Sequence, residues 1–159
     1  MITIREAVAN DISLILALIR ELAEYERSPE SAVATEEDLL RDGFGPQPRF
    51  KCVIAEWNGE PAGFALYFYN FSTWMGRAGI YLEDLFVRTA YRRKGIGREL
   101  FRYLAAKTRD EGLSRLVWQV LDWNQPSIDF YLSLGAESIT GWQTMRLTGA
   151  SLAALAQEK

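Results

Sequence analysis

The sequence predicts an α/β fold: a mixed central β-sheet, antiparallel in its N-terminal half with one parallel pair, flanked by helices, in a single domain over residues 1–159. Three observations carry this expectation. Runs rich in β-branched and aromatic residues alternate with stretches whose apolar residues recur at helical spacing. Asn58-Gly59 separates two strand-like runs, a hairpin signal that makes those neighbours antiparallel. A whole helical stretch lies between the run ending at Val87 and the run starting at Arg115, and a crossover of that length joins parallel strands.

In chain order, Ile2-Thr3-Ile4-Arg5 alternates apolar and polar and reads as a short strand. Asn10 or Asp11 can cap the helix that follows, whose apolar face is Ile12, Ile15, Leu16, Ile19 and Leu22 and which runs to about Tyr25, before Ser28-Pro29. Thr35-Glu36-Glu37-Asp38 resembles a capping box and opens a second helix that Asp42-Gly43 stops. Gly45, Pro46 and Pro48 make an irregular loop, followed by strands at Phe50 to Trp57 and Gly63 to Tyr69 and a connection from Phe71 to Gly76. Ile80 to Val87 is the central strand, Arg115 to Leu121 its parallel neighbour. Asn124 can cap a helix with Pro126 in its first turn, running to Leu134 with Gly135 as its left-handed stop. Ala136 to Leu147 offers a last strand or hairpin around Gly141-Trp142, and Leu152 to Leu155 a short terminal helix.

Between the central strand and the next helix lies Arg92-Arg93-Lys94-Gly95-Ile96-Gly97-Arg98. Basic residues and glycines meet where a helix begins, and a helix N-terminus presents unpaired N–H groups and the positive end of its dipole, so the segment suits an anion. A P-loop needs four residues between its glycines and then Lys-Ser or Lys-Thr, and a dinucleotide fingerprint needs a third small residue where Leu100 stands. The segment is instead Arg-x-x-Gly-x-Gly. A basic helix start whose glycines only make a turn is the alternative reading.

Composition narrows the chemistry. With no histidine, histidine metal sites, Ser-His triads and histidine bases are excluded, so acid and base work falls to Glu, Asp, Tyr, Lys or Cys. A net charge of −3 argues against a nucleic-acid binder, and a local basic patch on an acidic chain suits a small anion. Cys52, the single cysteine, lies in a strand-like run and reads as a buried structural thiol, compatible with a reducing compartment. The N-terminus lacks the basic start and apolar core of a signal peptide, and the longest apolar run, Leu14 to Ile19, is too short to span a bilayer. The expectation is a cytoplasmic protein without membrane, nucleic-acid or metal partners.

Arg92, Gly95 and Gly97, following a strand and opening a helix, resemble the pyrophosphate loop of the GNAT superfamily of N-acetyltransferases. Tyr81-Leu82-Glu83-Asp84, Trp123-Asn124-Gln125-Pro126-Ser127, Phe130-Tyr131-x-x-x-Gly135-Ala136 and Leu39-Leu40-Arg41-Asp42-Gly43-Phe44-Gly45 resemble the diamine N-acetyltransferase family, the spermidine/spermine acetyltransferases. Ser72-Thr73-Trp74-x-Gly76-Arg77 and Val120-Leu121-Asp122-Trp123-Asn124 resemble its thialysine N-ε-acetyltransferase branch. The resemblance spans about Ile4 to Trp142.

It implies acetyl-CoA as co-substrate, a small-molecule amine as acceptor, and a homodimer. It implies that backbone groups of Leu85, Phe86 and Val87 bind the pantetheine arm and the thioester carbonyl, that Arg92, Arg93, Lys94, Gly95, Ile96, Gly97 and Arg98 hold the pyrophosphate, and that Asn124, Pro126 and Ser127 contact the far side of the cofactor. It implies Tyr131 as general acid, Glu83 as a water-relayed base, and Tyr25, Glu26 and Glu83 at the amine. Trp74, Trp123 and Trp142 are further candidates for an amine pocket through cation–π contact, though large aromatics also serve as packing.

The chemistry suits these roles. An aliphatic ammonium, pKa about 10, must lose a proton before it attacks a thioester, and the departing thiolate benefits from one. Glu83 stands in an otherwise apolar strand, where an unpaired carboxylate is costly, and alternation sends Glu83 and Asp84 to opposite faces unless a bulge intervenes. Helix capping also explains Asn124, and without the resemblance Tyr131 reads as a core aromatic beside Ser127 and Leu134.

Ser72 and Thr140 replace acids of the polyamine acetyltransferases, which points away from spermidine and spermine towards a shorter amine or a thialysine-like amino acid; Glu137 is a possible substitute. Two rival readings are an enzyme acetylating a protein or peptide amine, and a non-catalytic acyl-CoA sensor, which would need the basic loop but neither Glu83 nor Tyr131.

Overall fold

The computed structural model describes residues 1–158. They fall into two compact units, Met1–Asn124 and the residues from Gln125 onward. Among the described residues, no helix is long and apolar enough to cross a membrane.

The first unit is a five-stranded sheet in chain order, β1 Ile2–Glu6, β2 Lys51–Trp57, β3 Glu60–Ser72, β4 Arg77–Val87 and β5 Leu116–Trp118, with helices α1 Ile12–Tyr25, α2 Glu36–Phe44 and α3 Ile96–Asp110. The first four strands pair antiparallel, and β5 runs parallel to β4, as the length of the α3 crossover requires. Asn58 and Gly59, at φ of 51° and 87°, turn β2 into β3 in the conformation a two-residue hairpin needs.

Ile15, Leu16, Leu18 and Leu22 of α1 and Leu39 of α2 bury against Cys52, Ile54, Phe64, Leu66 and Phe86 on one face of the sheet. Strand alternation sends Val53, Ala65, Tyr67, Ile80 and Leu82 to the other face, and Ile96, Leu100, Phe101 and Leu104 of α3 are buried with them. Cys52 is the buried thiol the sequence predicts, its pKa pushed up to about 12 chiefly by burial.

Local chemistry sets several boundaries. Thr35 Oγ1 accepts the Asp38 N–H at 3.2 Å and Asp38 accepts the Thr35 N–H at 2.9 Å, a full capping box with Asp at its far corner. Asp11 does not cap α1 with its side chain. Its carboxylate reaches back to the Val8 N–H and forms a two-pronged pair with Arg5, which also holds Glu56 and keeps the Asp11 carboxyl below the usual carboxylate range. Three expected strands differ in extent: β3 runs from Glu60 to Ser72, β4 begins at Arg77, and β5 is only three residues long. Gly43 does not stop α2, which continues to Phe44.

In the second unit, α4 spans Gln125–Ser133 and α5 Gly149–Gln157, the latter enclosing the expected terminal helix. Gly135, at φ of 91°, follows α4 as its left-handed stop. The strand or hairpin expected over Ala136 to Leu147 does not form; the segment is irregular, with Ile139, Trp142, Met145 and Leu147 exposed.

Candidate active site

The site in the first unit is built where β4 and β5 part. β5 accompanies β4 only over Ile80, Tyr81 and Leu82, while β3 follows β4 to Val87. Beyond Leu82 one edge of β4 is therefore left without a companion strand, and Leu85, Phe86 and Val87 lie along it. Gly63 makes the close approach on the other side possible: a Cβ there would sit 2.4 Å from the Phe86 carbonyl oxygen.

The parting coincides with a bulge. Leu66 pairs with Asp84 and Tyr67 with Leu82, so Glu83 is the extra residue of β4. The bulge cancels the expected alternation and reverses its consequence. Glu83 is exposed, not buried in an apolar strand. Asp84 turns to the α1 and α2 face beside Leu66 and Cys52, its registered neighbours, and is the carboxylate that pays for burial. Its pKa is pushed up to about 7 by burial, then by the negative charges of Glu83 and Glu26. Glu26, half-buried at the end of α1, is itself raised by burial. Glu26, Glu83 and Asp84 thus form one acidic group, and Asp84 is the member sequence reading missed. The signal was present in the Glu-Asp pair, but only the register of β3 against β4 tells which of the two is drawn inward.

After β4 the chain turns through Thr89–Tyr91 into the basic loop. Gly95, at φ of 83°, caps α3, and the first bond of the helix runs from the Glu99 N–H to the Gly95 carbonyl at 3.1 Å. The N–H groups of Ile96, Gly97 and Arg98 therefore have no acceptor within the helix. The Ile96 side chain is buried, so only its backbone can serve a ligand. Arg93 adopts a left-handed φ of 62° and is exposed, as is Arg98.

Two of the loop's cations lean on aromatic rings. Arg92 donates through Nε to the Val87 carbonyl at 3.1 Å and lies 4.6 Å over the Tyr25 ring and 5.7 Å over Phe86. Lys94 Nζ lies 4.8 Å over Trp57. Arg88, at the end of β4, clasps Glu21 of α1 through Nε and Nη2 and donates to the Pro61 carbonyl at 3.1 Å. The Tyr25 phenol donates to Asn124 Oδ1 at 3.1 Å, and Asn124 is buried. An exposed anion-seeking helix start, flanking cations and an open strand edge fit the pyrophosphate and pantetheine of a coenzyme A thioester.

Trp74 stands in the turn between β3 and β4, 87% exposed, with Ser72 buried beneath the turn and accepting the Met75 N–H. In the second unit α4 carries Pro126, Ser127 and Tyr131; Ser127 and Tyr131, four residues apart, share a helix face, and Tyr131 is half-buried with its ring 5.7 Å from Phe130. Trp142 lies in the irregular segment, 74% exposed.

Comparison with known proteins agrees with this chemistry. The family model described as the acetyltransferase (GNAT) family matches residues 15–136. A thialysine N-ε-acetyltransferase from Bos taurus is 43% identical over 98% of this chain and 97% of its own length. An L-ornithine N5-acetyltransferase from Arabidopsis thaliana is 30% identical over 96% of this chain and 86% of its own. Among solved structures, an integron cassette protein from the mobile metagenome of V. cholerae superposes with a TM-score of 0.83 at 28% identity, covering 99% of this chain and 98% of that one.

Proposed function

The chain belongs to the acetyltransferase (GNAT) family and is an acetyltransferase acting on amines, and we propose that its acceptor is the primary amine of a small molecule: a diamine, a polyamine or, best supported, the side-chain amine of a thialysine-like amino acid. The observation that carries this reading is the juxtaposition, in one unit, of a basic helix start and an acidic group at the same end of β4. The former suits an anionic coenzyme, the latter a cationic amine. The names of the bovine and Arabidopsis relatives favour an amino acid bearing a side-chain amine.

Enzymes of this family use acetyl-CoA as co-substrate, which brings the acetyl group as an activated thioester. In our reading, Arg92, Arg93, Lys94, Arg98 and the N–H groups at the start of α3 neutralise its phosphates, and the backbone of Leu85 to Val87 aligns its arm. Asn124, Pro126 and Ser127 contact its far side. Glu83 attracts the ammonium and takes its proton through a water, leaving a lone pair free for direct attack within a ternary complex. Tyr131 supplies a proton to the departing sulfur. Asp84 is a second candidate base, because a carboxyl poised near pH 7 accepts a proton more readily than an ordinary carboxylate. Glu26, Trp74 and Trp142 complete the amine's surroundings.

We further read residues 1–159 as one functional domain, since the family match runs across Asn124 into the second unit. A homodimer is supported by the exposed apolar residues of the C-terminal segment, and a cytoplasmic setting by the single buried thiol.

The test is release of free thiol from acetyl-CoA against thialysine, lysine, ornithine, putrescine, spermidine and short peptides. A small amine with a side-chain or terminal ammonium should give the highest kcat/KM. Tyr131→Phe and Glu83→Gln should each lower kcat by about 10²-fold or more, the range of a lost acid or base. Preference for peptides would instead favour a protein acetyltransferase, and coenzyme A binding without turnover on any amine would favour a sensor.

A further inference from the structure

The resemblance assigns Tyr25 to the amine, yet both of its functional surfaces are already engaged. Its ring face carries the Arg92 guanidinium at 4.6 Å, and its phenol donates to Asn124 at 3.1 Å. Phe86 and Trp123 flank the ring at centroid distances of 6.5 and 6.2 Å, and Arg27 covers Trp123 at 4.0 Å. Tyr25 packs against the core cluster at its base, so the ring is a fixed surface and not a mobile tip. One helical turn earlier, Glu21 clasps Arg88. The last turn and a half of α1 therefore grips both the end of β4 and the loop that follows it.

Resting on the acetyl-CoA reading above, we infer that Tyr25 is a positioning residue of the coenzyme site: its ring seats Arg92 at the end of β4 while its phenol holds Asn124, so that one α1 side chain sets the two loops that grip coenzyme A. An arginine on an exposed loop samples many rotamers, and each must be given up when an anion binds. Seating the guanidinium on an aromatic face and tying Nε to the Val87 carbonyl removes much of that freedom beforehand. The remaining guanidinium nitrogens keep their charge and N–H groups for a phosphate. Asn124 is fixed from the same ring, which links the loop after β5 to the loop after β4.

The experiment measures coenzyme A affinity by calorimetry, and kcat and both KM values, for the full chain and for Tyr25→Phe, Tyr25→Leu, Arg92→Gln and the double variant Tyr25→Leu/Arg92→Gln. Tyr25→Phe keeps the ring and loses only the phenol, so KM for acetyl-CoA should rise about threefold; Tyr25→Leu loses both and should raise it about tenfold, with kcat and the amine KM within about twofold of wild type. Arg92→Gln should erase most of the further effect of Tyr25→Leu, because residues acting through one contact are not additive. A rise in the amine KM with unchanged coenzyme A affinity would overturn the inference in favour of direct amine contact. A lower Tm with all four constants unchanged would overturn it in favour of packing. Failure of the wild-type chain to bind coenzyme A would overturn the acetyl-CoA reading itself, and this inference with it.

Discussion

Asp84 shows how a one-residue irregularity decides which of two neighbouring carboxylates is drawn out of water. Had β4 alternated without interruption, Glu83 would share a face with Leu85 and Asp84 would point to the other, the arrangement expected from the sequence unless a bulge intervenes. The bulge places Glu83 in solvent and Asp84 under α1, where burial and two neighbouring carboxylates hold its proton up to about pH 7. The sign of the linkage follows. A carboxyl whose native pKa lies above its unfolded value carries no penalty when protonated in both states, and costs stability once the native state must ionise it. Stability should therefore fall as pH rises from about 4 to about 7, by an amount on the order of 4 kcal/mol, and level off above. Urea unfolding between pH 5 and pH 8 should show that slope in wild type and a flatter profile in Asp84→Asn. The same proton should appear in kinetics. kcat/KM reports the free enzyme, so its rise with pH should break near 7, disappear in Asp84→Asn, and move to lower pH in Glu83→Gln, where a repelling charge is gone. A break that survives Asp84→Asn would return the role of base to Glu83 alone.

At the level of elements, the features that could be read from the chain were those whose cause is local. Asn58-Gly59 turns because both residues accept positive φ, Thr35 and Asp38 cap because they stand three apart, and Gly95 opens α3 because a left-handed residue is needed there. The parallel β4–β5 pair was legible from the length of the crossover alone. Register and partnership were not, because they depend on residues far along the chain. The bulge at Glu83, the short reach of β5 and the seat of Arg92 on Tyr25 all belong to that class. Gly63 connects the two. Its role in a strand is not apparent from sequence, but its Cβ position is filled by the Phe86 carbonyl of the strand whose other edge is read as the coenzyme site. Gly63→Ala should force β3 from β4 at this point, destabilising the protein by about 2–3 kcal/mol. Its signature beyond stability should be a higher KM for acetyl-CoA measured well below the variant's Tm, with the amine KM little changed. Equal disturbance of both would mean that the strand end does not serve the coenzyme in particular.

For the whole molecule, the informative disagreement lies at residues 136–147, whose composition asks for a strand that the isolated chain does not make. An α/β domain of this length has ample core in its first unit, where both sheet faces are covered by helices. The C-terminal segment is different: Ile139, Met145 and Leu147 are 72%, 84% and 46% exposed. Exposed apolar residues of this size along one segment favour burial against another chain, and the symmetric solution for a single gene product is a second copy of itself. Sedimentation equilibrium at micromolar concentration should therefore give twice the 18.1 kDa of the chain. Ile139→Glu/Met145→Glu places two like charges where the copies would meet and should shift the protein towards monomer, leaving the far-ultraviolet circular dichroism of the first unit intact. Turnover then separates two kinds of dimer. If monomerisation abolishes acetylation while coenzyme A still binds, the partner completes the amine side of the site. If the monomer retains full kcat/KM, dimerisation serves only to cover apolar surface. A wild-type chain that sediments as a monomer would remove the dimer from the reading and leave the exposed segment to be explained by a different partner.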